Sequence, residues 1–101
     1  MRVSLLPASR RDILLHVEYP LEEYAYDAAE RFPLAVGDAI EFLIQQPEAG
    51  TSSLAALRSW PVPGFPKIRL YYLRPEPSEL HVVRILHGAR DLPAILRSRK
   101  H

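Results

Sequence analysis

Lys67, Arg69 and Tyr71 recur at every second position of one stretch, and Arg84 and His87 follow in a second, largely apolar one. Two-residue spacing puts the first three on one face of a strand. If the second stretch lies alongside, three cations, a phenol and an imidazole come within reach of one another. Cations can hold a phosphate while charge builds on it in a transition state, and an imidazole titrating near neutrality can move the proton. The same five residues also fit the solvent side of a two-faced sheet, or a landing surface for an acidic partner. Sequence leaves these readings open. His87 equally suits a structural hydrogen bond before Gly88, a glycine expected to supply a turn with positive φ. Arg90 could grip a carboxylate or phosphate bidentately. Structurally, Asp91 would cap a helix, and Arg90 or Arg84 would pair with a carboxylate from upstream.

The elements that must position these groups can be read from periodicity. His81 to Leu86 is dense in aliphatic and β-branched residues, with Val82 and Leu86 on one face and Val83 and Ile85 on the other, interrupted only by Arg84. A strand apolar on both faces belongs inside a sheet. From Phe65 to Arg74, Ile68, Leu70 and Tyr72 alternate with Lys67, Arg69 and Tyr71, and the polar turn RPEPSE joins the two strands as an antiparallel hairpin. Before them, Leu54 to Val62 carries Leu57 and Trp60, the latter read as core or as an exposed aromatic surface. Pro61, Pro63, Gly64 and Pro66 then predict a turn without regular pairing.

Upstream, Arg2 to Leu6 is a short edge strand stopped by Pro7. Ser9 or Asp12 is a candidate cap for a helix in which Ile13, Leu14, Val17 and Leu21 form the apolar stripe, ending near Tyr19 or kinked there by Pro20. A second helix starts at Asp27, with Glu30 completing a capping box, and its stripe from Ala28 through Phe32, Ala39 and Leu43 lasts to Gln46. Pro33 predicts a bend or restart within it. Asp91 and Pro93 open a short last helix, followed by the basic tail RSRKH. The order strand, helix, helix, strands, helix gives one α+β domain with a helical hairpin on one face of a mostly antiparallel sheet.

At 101 residues, 48% hydrophobic and 25% charged, the chain supports one core and not two. It lacks cysteine, which rules out disulfides and thiolate zinc and suits a reducing cytoplasm. Neither a membrane span nor a signal peptide is apparent, and no metal or cofactor is expected. The net charge of +1 conceals an asymmetry: residues 1–57 hold 4 basic and 9 acidic side chains, a net −5, and the rest hold 9 and 3, a net +6. The basic half is suited to an acidic partner, or the halves simply attract within one fold.

With this layout in view, the chain resembles the RelE/ParE family of toxins from bacterial type II toxin-antitoxin systems, in its ParE-like, plasmid-stabilisation form. The resemblance rests on DAAERF at Asp27 to Phe32, QQPEAG at Gln45 to Gly50 and, most specifically, RILHGARD at Arg84 to Asp91. It implies a toxin inhibiting DNA gyrase by binding, silenced in a hetero-oligomer by a ParD-like antitoxin whose N-terminal part, not the toxin, binds DNA. On that reading Lys67, Arg69, Tyr71 and Arg84 meet the antitoxin's acidic, helically spaced apolar segment, and Arg90, Arg97, Arg99 and Lys100 meet the target. The alternative implied by the RelE branch is a ribosome-dependent mRNA endoribonuclease using Lys67, Arg69, Tyr71, Arg84 and His87.

Overall fold

The computed structural model describes residues 1–53 and 56–89. Strand β1 (Arg2–Leu5) leads into helix α1 (Pro7–Glu18), a 3-10 turn (Glu22–Tyr24) and helix α2 (Ala28–Gln45). Strands β2 (Thr51–Ser52), β3 (Arg58–Val62), β4 (Phe65–Leu73) and β5 (Glu79–His87) follow. They form one sheet in the order β1-β5-β4-β3-β2, in which β1 runs parallel to β5 and the other neighbours are antiparallel. The expected α+β layout holds: both helices contribute to a single core against one sheet face. Phe32, Val36, Ala39 and Leu43 of α2 meet Ile68, Leu70 and Tyr72 of β4 and Leu80, Val82 and Ile85 of β5. The last helix, from Asp91, lies outside the described residues.

Helix α1 begins earlier than either proposed cap. Pro7 occupies its first turn, where a missing N–H costs nothing, and Leu6 precedes it with extended backbone. Ser9 instead donates its hydroxyl back to the Leu6 carbonyl at 2.7 Å. Ile13 and Val17 reach the core as expected. Leu14 does not; it is exposed. The inward face is shared with the buried polar residues Ser9 and Asp12.

Helix α2 runs unbroken through Pro33, so the chain does not restart there. Interior proline costs about 3 kcal/mol, but burying Phe32, Val36 and Leu43 returns about 2 kcal/mol each, so packing outweighs the lost bond. Asp27 sits at the helix start without capping it: its backbone is near-helical rather than extended, and its carboxylate pairs with Arg31 at 3.8 Å.

The proline cluster gives the expected turn and, as expected, interrupts regular pairing, although both flanking strands run up to it. Pro61 stands opposite Arg69, the register shifts between Pro61 and Val62, and Val62 then pairs with Phe65 across Pro63-Gly64. Gly64 has φ 82°, which a type II turn demands at its third residue. Proline at the second position presets the turn rather than breaking the sheet.

A second irregularity reassigns the faces of β5. Tyr71 pairs with Arg84 and Tyr72 with Val82, leaving Val83 as the extra residue of a bulge. Val82 and Ile85 therefore both face the helices, while Val83 and Leu86 turn to the other face. There Leu57, Tyr71 and Leu86 are buried together, with Leu73 and Val83 against them. The sequence pattern had Ile85 with Val83 and Val82 with Leu86; the extra residue exchanges those partners.

Candidate functional site

Strand β4 carries Lys67, Arg69 and Tyr71 on the sheet face away from the helices, as their spacing dictates. Among the described residues they take different partners. Lys67 reaches the margin, where its ammonium lies 2.9 Å from a carboxylate oxygen of Glu23 on the 3-10 turn. The Glu23 hydrogen bond and charge hold the Lys67 ammonium above its ordinary value of 10.5. Its backbone N–H also donates to the Tyr24 hydroxyl at 3.1 Å. Arg69 turns towards β3 instead, donating from Nε to Ser59 Oγ at 2.9 Å. Tyr71 is buried in the small apolar cluster with Leu57 and Leu86.

Arg84 is bound most firmly. Its Nε donates to Asp12 Oδ2 at 2.8 Å and its Nη2 to Asp12 Oδ1 at 3.0 Å, a bidentate pair. Asp12 Oδ2 also accepts the backbone N–H of Ile85 at 2.9 Å. One turn on, His16 Nε2 lies 2.8 Å from the Ile85 carbonyl, and because a carbonyl only accepts, that nitrogen carries the proton. Strand β1 stops at Leu5, opposite Val82, so β5 beyond that point has no strand on this side. Asp12 and His16 supply an acceptor and a donor there, satisfying with side chains what a neighbouring strand would satisfy with backbone.

His87 pairs with Ile68, a core-facing residue, so the register puts it on the sheet face opposite Arg69 and Tyr71. The imidazole thus leaves β5 on the other side of the sheet from Arg69 and Tyr71. Gly88 does not adopt positive φ; Gly64 is the positive-φ glycine among the described residues. Its role is close approach. A Cβ there would come within 2.8 Å of Arg69 Cδ, so the arginine stem lies over the bare glycine. Gly88 N–H also donates to the Lys67 carbonyl at 3.0 Å, fastening the end of β5 to the start of β4.

A separate knot holds the loop after α2. Tyr72 donates its hydroxyl to the Pro47 carbonyl at 2.8 Å and accepts the Gly50 N–H at 3.0 Å. A Cβ on Gly50 would collide with that hydroxyl. Burial pushes the Tyr72 phenol above its ordinary value of 10.0, outweighing the opposing pull of the Gly50 bond. Arg58 donates to the Gly50 carbonyl at 2.9 Å from the other side. QQPEAG is therefore a fastening between helix and sheet. Trp60 stacks on Phe42 at 4.7 Å and is half-buried, on the edge of the core.

The expectation that Arg84 pairs with a carboxylate of the acidic helices is met by Asp12. Sequence reasoning considered Asp12 only as a cap and passed over His16. The available signal was Ser9, Asp12 and His16 at helical spacing, a polar line along the inward side of α1. Arg90, Arg97, Arg99 and Lys100 lie outside the described residues. Among the described residues no group of three or more His, Asp or Glu side chains is placed to hold a metal ion.

A helical hairpin on one face of a five-stranded mixed sheet, with N-terminal strand and helix closing the flank of the last strand, is the RelE/ParE-like fold. A solved structure described as "Chromosomal ParDE TA system from P. aeruginosa" shares it with a TM-score of 0.57 at 14% identity, over 86% of this chain and 95% of that one. The sequence pattern of the ParE toxin of type II toxin-antitoxin system, parDE, matches residues 3–92, and the chain belongs to that family. No curated protein matches the chain in sequence.

Proposed function

We propose that this ParE-family toxin acts in the cytoplasm by binding and inhibiting DNA gyrase, and that a ParD-like antitoxin neutralises it. The observation that carries this reading over an mRNA nuclease is where the cations point. Lys67 is tied to Glu23, Arg69 to Ser59 and Arg84 to Asp12, while His87 sits across the sheet from Arg69 and Tyr71. A nuclease needs a phosphate-binding group and a proton-moving group converging on one point. Fold-building partners for the same residues support a molecule that works by its surface.

Lys67 and Arg69 present the outer charges of the open sheet face to the antitoxin's acidic segment, and Tyr71 and Arg84 shape the floor beneath them. Arg90, Arg97, Arg99 and Lys100 are the contacts assigned to the target. The test runs purified antitoxin-free chain in two assays, gyrase supercoiling and ribosomal translation of a defined mRNA. The expected result is lost supercoiling, restored by antitoxin, with intact mRNA. Undisturbed supercoiling at saturating chain, or mRNA cut in the ribosome, overturns the proposal.

A further inference from the structure

The outer side of α1 carries apolar groups that the fold leaves in water: Leu14 is 61% exposed and Leu15 47%. Leu14 and Leu15 are flanked by Arg11 and Glu18, and the four follow i, i+3, i+4, i+7 spacing, one strip along a helix. The buried residues of α1, Ser9 and Asp12, lie on its other side. Arg11 and Glu18 are both exposed, and neither enters any of the ion pairs formed among the described residues.

This strip is self-complementary under a two-fold rotation. When two copies of α1 lie antiparallel about an axis between Leu14 and Leu15, Leu14 meets the second copy's Leu15 and Arg11 faces its Glu18. Every contact occurs twice, as an isologous interface requires. Antiparallel helix dipoles favour the same arrangement. We propose that α1 is a homodimerisation face through which two copies of this chain pair, with Leu14 and Leu15 at the axis and Arg11–Glu18 ion pairs at both ends. A single helix pair is small, so the association belongs to the weak, transient class and depends on concentration.

Sedimentation velocity on the full chain, freed of antitoxin and followed over a wide concentration range, tests this. The wild type is expected to shift from monomer towards dimer as concentration rises. Arg11→Glu alone and Glu18→Arg alone each place like charges opposite one another twice, and each should remain monomeric. Mixed in equal amounts, the two variants bring opposite charges together at both ends again and should associate. Leu14→Ser should weaken association tenfold or more, with circular dichroism unchanged because the site is exposed. A wild type that stays monomeric throughout, or charge variants that fail to associate when mixed, overturns the proposal. So does a Leu14→Ser variant that loses antitoxin binding while self-association is unaltered, an outcome that hands this face to the antitoxin.

Discussion

Replacing Asp12 by alanine removes three hydrogen bonds at once, two from Arg84 and one from the Ile85 N–H. The carboxylate side chain is 5% exposed and the arginine 20%. Breaking a buried ion pair from one side costs about 3–5 kcal/mol, and an orphaned buried N–H about 1–3 kcal/mol of that scale. Arg84 can regain some water through its exposed fifth, which places the expected loss at the lower end, about 3 kcal/mol. For a domain of this size that corresponds to a melting temperature lower by about 12–24 °C. Asp12→Asn keeps the shape but turns a donor towards another donor, and should lose about 2 kcal/mol. Urea denaturation of Asp12→Ala, Arg84→Met and the double variant completes a cycle. The double variant leaves no uncompensated charge, so its second substitution should add little, giving a coupling of about 2 kcal/mol. A loss below about 1 kcal/mol for Asp12→Ala, or strictly additive single effects, would refute the claim that this pair locks α1 to β5.

Tyr72 should give the chain an alkaline limit. In the unfolded chain the phenol ionises at its ordinary 10.0, while in the folded chain burial keeps the proton on. The unfolded state then binds fewer protons, so stability, intact below pH 10.0, falls as pH rises from there through the raised folded value. Denaturation midpoints measured across that range should fall less steeply in Tyr72→Phe. Pro33→Ala should stabilise the chain by about 2 kcal/mol, because it restores a helical N–H and removes no buried contact; a neutral or negative effect in urea denaturation would show that the ring has a packing role.

Much of the fold was written in local pattern. The alternation of Phe65 to Arg74 and the stripe from Ala28 to Leu43 both reappear as β4 and α2, because the main core takes Ile68, Leu70 and Tyr72 from one face of β4 and one stripe of α2. Pro33 suggested a restart that is absent because burial of its neighbours offsets its local cost, whereas Pro61 marked the register shift the proline cluster predicts. The site was less legible. One extra residue at Val83 exchanges the faces of β5, and periodicity cannot foresee a bulge. Arg84 and Asp12 are separated by 72 positions, so the partner of a conspicuous arginine was an inconspicuous aspartate on another element. Gly50 and Gly88 were visible as glycines, but the side chains lying over them were not.

The parallel pairing of β1 with β5 has a consequence for the order of events during synthesis. Arg2 pairs with Glu79, and Leu5 with Val82, so the first strand described waits for the last one described. Helix α1 waits too, since Asp12 and His16 close on Ile85. Contacts this distant in sequence form late and slow the folding of the whole. A nascent chain arrested before β5 has its helices made and its core open, with Phe32 and Leu43 lacking part of their cover. Such a chain is vulnerable to proteolysis and aggregation. Late closure therefore holds back any activity that needs the finished sheet until β5 has been made.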